Sequence, residues 1–93
     1  MPRSKQLSKA ERDALRLKLA EQAAQGALHL PETIKTLRSI MGLNQEGFGR
    51  LFKLTRRQVH ELEAGTANPT LETLNRLGRP FGLEAGLVPR KRF

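Results

Sequence analysis

The chain has no cysteine, no tryptophan and no tyrosine, and four phenylalanines bring its aromatic content to only 4% of 93 residues. Without cysteine there can be no disulfide, no thiolate zinc site and no thiol nucleophile. His29 and His60 are the two histidines, too thin a ligand set for a metal site, so neither metal nor cofactor is expected. No apolar run approaches the length of about 18 residues that a spanning helix needs, and residues 1–18 are basic without the apolar core of a secretory signal. The chain is therefore expected to be soluble and cytoplasmic, with no membrane partner. Scarce aromatics mean an aliphatic, small core, and a domain of this length buries only about 60–65% of its unfolded surface. Oligomerisation is the natural supplement. The length suits one compact domain with an appendage and is short for a deep cleft between two domains. No Ser/His/Asp arrangement, phosphate-cradling glycine loop or paired-carboxylate signature stands out, and Gly47-Phe48-Gly49 lacks the third glycine and preceding strand of a dinucleotide fingerprint. Catalysis is not expected.

What the chain does have is basic charge: 17 Lys and Arg against 9 Asp and Glu, a formal +8. Such a surplus points to an anionic partner, nucleic acid first, with acidic protein or lipid surfaces behind it. The excess is spread evenly, with residues 1–31, 32–82 and 83–93 each basic on balance. Only Arg90-Lys91-Arg92-Phe93 reads as a basic tail.

Three stretches differ in pattern, taken as 1–30, 31–82 and 83–93. In the first, Ser8-Lys9-Ala10-Glu11 fits a capping box. No proline, glycine or β-branched residue interrupts the run from there to Gln25, and Gly26 is a natural stop. Leu7, Ala10, Ala14, Leu17, Ala24 and Leu28 recur at helical spacing with Glu21 breaking the stripe, while Leu15, Leu19, Ala20 and Ala23 widen it. This amphipathic helix should pack on something: its own domain, a dimer partner or another protein. The second stretch reads as four helices of two to three turns. Their apolar sets are Ile34/Leu37/Ile40/Met41, Phe48/Leu51/Phe52, Val59/Leu62 and Leu71/Leu74/Leu77, with Pro80 closing the last. In the third stretch, Leu83, Ala85, Leu87 and Val88 sit among Glu84, two glycines and Pro89 and read as a short strand. A lone strand needs a partner, and the same strand of a second copy is the simplest one.

The informative segment runs from Asn44 to Gly65. Two short amphipathic helices flank a break at Lys53-Leu54-Thr55, which is a helix-turn-helix arrangement. Thr55 is the expected N-cap of the second helix, followed at once by Arg56, Arg57 and Gln58. In this geometry the first residues of the second helix reach base edges in the major groove. Arginine there can donate twice to guanine and glutamine can bond adenine. Val59 and Leu62 are spaced to hold that helix on the core. The plain alternative for Arg56 and Arg57 is a solvated helix face. Gln45, at a helix N-terminus, is a candidate phosphate contact or else an ordinary capping residue. Arg50 and Lys53 face either DNA backbone or water, Glu61 lies one turn from Arg57 and could orient it, and His60 reads as a surface or DNA-facing residue.

Residues 34–83 resemble the lambda-repressor-like (Cro/XRE) helix-turn-helix family. The matching features are Leu37-Arg38, Asn44-Gln45, Phe48-Gly49 where the family usually has Leu-Ala, Val59, Leu62-Glu63-Ala64-Gly65, Asn68-Pro69 and Leu71-Glu72-Thr73-Leu74. The sequence departs from the family at Lys53, where the turn often has glycine, and at Gly47 and Gly49, each costing a helix about 1 kcal/mol relative to alanine. The resemblance implies an all-α domain of four to five short helices, here with an added N-terminal helix and a C-terminal strand pairing across a dimer. It also implies a structural role for Glu63 near Arg38. The ending Phe81–Arg90 is similar to the tail of HipB-type antitoxins, dimeric repressors that bind a HipA-type kinase toxin and repress their own operon. That likeness implies a homodimer on an inverted-repeat operator of double-stranded DNA, with a kinase-like toxin as protein partner. A repressor without a toxin and a protein-interaction module on the same scaffold remain open alternatives.

Overall fold

The computed structural model describes residues 7–87, and among these it contains helices and turns with no strand. Five α-helices follow in order: α1 (Lys9–Ala24), α2 (Leu30–Met41), α3 (Gln45–Phe52), α4 (Arg56–Ala64) and α5 (Leu71–Gly78), the last continued by a 3-10 turn over Arg79–Phe81. None of these helices is long and apolar enough to cross a membrane.

Local chemistry sets the boundaries. The capping box at the head of α1 is formed, with Ser8 Oγ accepting from the Glu11 amide at 3.1 Å and Glu11 Oε1 accepting from the Ser8 amide at 2.8 Å. Asn44, Thr55 and Thr70 cap α3, α4 and α5 by accepting from backbone amides in the first turn. Helix α2 lacks a side-chain cap and starts instead with Pro31 in its first turn, where a missing N–H costs nothing. It stops at Gly42, whose φ of 70° turns the chain out of the helix.

The core is made of Leu19, Ile34, Leu37, Ile40, Phe48, Phe52, Val59, Leu62 and Leu77. Phe48 is fully buried and its ring meets that of Phe52 at 4.7 Å between centroids, tilted by 48°. Helix α4 packs against both α3 and α2, and α1 lies along α2. Of the two apolar sets, the second packs through Leu15 and Leu19, with Ala23 half-buried and Ala20 exposed, whereas Ala10, Ala14, Leu17 and Ala24 of the first face outward and only its ends, half-buried Leu7 and core-packed Leu28, are covered. Leu19 alone on α1 is fully buried, and Leu17 is 65% exposed.

The strand expected over residues 83–88 is not seen. Leu83–Leu87 carry no strand, and Val88 and the Arg90-Lys91-Arg92-Phe93 tail lie outside the described residues. Two amides of this segment find partners on α5: Leu83 donates to the Gly78 carbonyl at 2.9 Å and Ala85 to Asn75 Oδ1 at 2.8 Å. The absent side chain of Gly78 makes that return possible, since a Cβ there would lie 2.7 Å from the Leu83 carbonyl oxygen.

Candidate nucleic-acid interface

The turn between α3 and α4 decides which side chains reach the surface. Phe52 ends α3, and Lys53 follows with φ 60° and ψ 41°, the one non-glycine residue at positive φ among the described residues. This left-handed residue reverses the chain, so that the Leu54 amide donates to the Gly49 carbonyl at 2.7 Å. A Cβ on Gly49 would sit 2.5 Å from the Leu54 carbonyl oxygen and 3.3 Å from Val59 Cγ2. The glycine in place of the family's alanine thus lets the turn lie directly on α3. From the α5 side, Arg76 Nη1 donates to the Phe52 carbonyl at 2.9 Å and ties down the last turn of α3.

Helix α4 then begins with a second capping box: Thr55 Oγ1 accepts from the Gln58 amide at 3.0 Å and Gln58 Oε1 accepts from the Thr55 amide at 2.8 Å. Val59 and Leu62 are buried and clamp the helix to the core. With that face fixed, Arg56, Arg57, Gln58 and His60 are exposed. Arg57 Nε donates to Glu61 Oε2 at 3.3 Å, one turn along, so Glu61 does bear on Arg57. Gln58 has a local duty: its amide oxygen serves the cap, and two-point reading of adenine requires that oxygen to be shared or released.

The turn and the first turn of α4 bring together Lys53, Thr55, Arg56, Arg57 and Gln58, with Arg50 exposed in the last turn of α3. Gln45 stands apart from this group in its contacts. It is the first residue of α3, half-buried, and its Nε2 donates to Glu63 Oε1 at 3.2 Å. Glu63 also receives Arg38 on both oxygens, Nε to Oε2 and Nη2 to Oε1 at 3.0 Å. The Arg38 Nη1 reaches the Leu43 carbonyl at 3.1 Å. Burial pushes the Glu63 carboxyl up, but hydrogen bonds from Arg38 and Gln45 and the charges of Arg38 and Lys35 outweigh it and hold the group below the ordinary carboxylate range. This network joins α2, α3 and α4 and fixes the angle at which α4 is presented. Asn75 and Arg76, which anchor the C-terminal segment and α3, do not stand out in the sequence. Their only signal is two polar residues between the apolar positions Leu74 and Leu77. Of the residues expected at a dimer contact, Leu83 and Ala85 are half-buried and Leu87 is fully exposed, while Val88 lies outside the described residues.

A buried-face helix presented by a tight turn, with cations on its outward first turn, is the arrangement of a DNA-reading module. A model of the helix-turn-helix family matches residues 34–87, more than half of the chain, and the chain belongs to that family. It is a DNA-binding regulator of the Cro/XRE type. No curated protein and no solved structure gives a match.

Proposed function

We propose that the chain is a sequence-specific, dimeric transcriptional repressor that acts as the antitoxin of a HipA-like toxin–antitoxin module and represses its own operon. The observation that carries the DNA-reading part is the first turn of α4. Arg56 and Arg57 point outward from a helix whose cap and buried face leave it one orientation. In this reading Arg56 and Arg57 contact base edges, Arg50 and Lys53 contact phosphate, Thr55 and Gln58 hold the helix end at the groove, and Glu61 aims Arg57. His60 follows on the outer face. Gln45 supplies a further phosphate contact by leaving Glu63, which keeps both bonds from Arg38.

Two copies related by a two-fold axis set their α4 helices in successive major grooves, about 34 Å apart. The C-terminal segment supplies the pairing. Leu83 and Ala85 bond inward to α5, which leaves the alternate residues Glu84 and Gly86 to a partner strand, while Leu83, Ala85, Leu87 and Val88 provide the apolar contact. The toxin reading rests on the likeness of residues 81–90 to HipB-type tails. The protein acts by binding, in the cytoplasm, without catalysis or cofactor.

A gel-shift series on DNA upstream of its own gene, with random-sequence competitor, tests the repressor reading. Selective retention of the cognate fragment is expected. Equal retention of both DNAs removes sequence-specific repression in favour of a general nucleic-acid binder, and retention of neither favours the protein-interaction module. Co-purification with a kinase-like protein encoded beside it tests the antitoxin reading, and a protein that binds the operator but not that kinase is a repressor alone.

A further inference from the structure

We infer that the Arg57–Glu61 pair reads the operator as one unit, Arg57 taking a guanine and Glu61 the amino group of a neighbouring cytosine. The inference rests on the DNA-reading part of the function proposed above and names bases which that reading leaves open. At about 100° per residue, Arg57 and Glu61 fall on the side of α4 opposite its buried residues Val59, Leu62 and Glu63. These two side chains therefore lie on the line of the helix that enters a groove deepest, with Arg56 and Gln58 on either flank. Their side chains are 87% and 39% exposed, so an ion pair between them adds little to stability. What matters is which atoms it uses.

The bond joins Arg57 Nε to Glu61 Oε2 at 3.3 Å. Arg57 Nη1 and Nη2 and Glu61 Oε1 have no partner among the described residues. The arginine thus keeps the two terminal nitrogens of its fork, whose N–H groups match O6 and N7 of guanine. Held through Nε, the fork has fewer orientations to lose on binding. The carboxylate keeps an oxygen that only accepts, so it selects a base with an amino group in the major groove. Adenine carries the N7 acceptor beside its amino group, and that lone pair repels a carboxylate. Cytosine N4 has no such acceptor beside it on its own ring, so cytosine is the base that fits. Other acceptors at the start of α4 are already engaged: the Gln58 amide oxygen receives the Thr55 amide at 2.8 Å, and Thr55 Oγ1 receives the Gln58 amide at 3.0 Å. Arg57 also offsets the charge of an acid brought towards phosphates. The rise from residue 57 to 61 is about 6 Å, against about 3.4 Å per base pair, which sets the cytosine within two steps of the guanine.

Selection of bound sites from a pool of random duplexes, using the full chain, tests this reading. The unaltered protein should return a G·C pair and a second G·C pair within two positions of it. Arg57→Ala should flatten preference at the first and Glu61→Ala at the second, each by about fivefold or more. Glu61→Gln should turn the second from cytosine to adenine, which an amide reads through both its oxygen and its nitrogen. Neither side chain is buried, so the fold should persist, and circular dichroism checks that it does. Binding of random DNA by the two Glu61 variants should not weaken, because an anion has been removed from the DNA-facing side. If Glu61→Ala flattens only the pair that Arg57→Ala flattens, Glu61 merely positions the arginine, and the inference is overturned. Preference left intact at both pairs by Glu61→Ala overturns it too, as does a selected guanine with no second G·C pair within two positions. In these cases sequence-specific binding still stands, whereas a pool that yields no consensus removes that reading and this inference together.

Discussion

Lys53 occupies a backbone conformation, φ 60° and ψ 41°, in which an L side chain is strained by about 1–2 kcal/mol. Glycine escapes that strain but loses more freedom on folding. Lys53→Gly should therefore stabilise the isolated protein by a net amount of about 0.5–1 kcal/mol, read as a higher urea midpoint at unchanged m-value. Gly49 is the opposite case. Helix propensity alone favours alanine there, but the Leu54 carbonyl oxygen would lie 2.5 Å from the new Cβ, and displacing turn backbone is the greater cost. Gly49→Ala is expected to lower stability by about 1–3 kcal/mol. Gly47→Ala, whose near neighbour is the Asn44 side chain at 3.2 Å, should change it less. A larger loss at 47 than at 49 would mean that the turn yields. Glu63 links residue chemistry to pH. Its folded carboxyl titrates below the ordinary value of 4.5, so its pairing with Arg38 stabilises the protein above that value. The contribution declines as the pH falls from about 4.5 through the folded value. Glu63→Gln, which leaves Arg38 without its counter-charge, should cost about 2–4 kcal/mol at neutral pH and remove that part of the acid dependence. An acid-unfolding profile parallel to that of the unaltered protein would assign the acid loss to other carboxylates.

At the scale of elements, the helix-turn-helix is legible in the sequence because its punctuation is local. Ser8, Asn44, Thr55 and Thr70 are caps, and Gly42 and Gly65 are left-handed stops, all readable from a few neighbouring residues. The Arg38–Glu63 pair is legible only through the family resemblance, since 25 residues separate its members. What escapes is mostly non-local. Both stripes of α1 have helical period, and only the docking of Leu19 beside α2 reveals which one is inside. Gln45 reads as a phosphate contact, but its amide lies on Glu63, a residue 18 positions away. Gln58 reads as a base contact, although the local rule that pairs it with Thr55 in a capping box already signals its second duty. The alternation of Leu83, Ala85 and Leu87 reads as a strand, whereas Asn75 and Gly78 hold its first residues to α5. The α4 box offers a test of how far a cap supports a recognition element. Thr55→Ala should destabilise the domain by about 1 kcal/mol and raise amide exchange most in the first turn of α4, before any effect on α2. Uniform acceleration across all helices would mean that α4 opens only when the whole domain unfolds.

For the molecule as a whole, the formal charge of +8 is a poor guide to DNA affinity, because the salt dependence of binding counts phosphates neutralised and not net charge. Basic residues occur on α1, α2, α3, α4 and α5 alike, and only Arg50, Lys53, Arg56 and Arg57 are exposed around the turn and the start of α4. With the two α4 arginines on bases, two cations per subunit remain for phosphate, or about four in a dimer. At about −0.9 per phosphate, log K against log salt should have a slope near −3.6 on the cognate site. If the outer face of α1 and the tail also lay on DNA, the slope would be steeper by several units. Lys53→Gly then becomes a probe that separates folding from binding. The variant should be more stable than the unaltered protein, yet its slope should fall to about −1.8, since two phosphate contacts leave the dimer together. Arg57→Ala should behave differently, with about 1–3 kcal/mol lost on the cognate site, relaxed preference at the base it reads and little change in slope. A shallower slope for Arg57→Ala with an unchanged ratio of cognate to random binding would transfer that arginine from the base edges to the phosphate backbone.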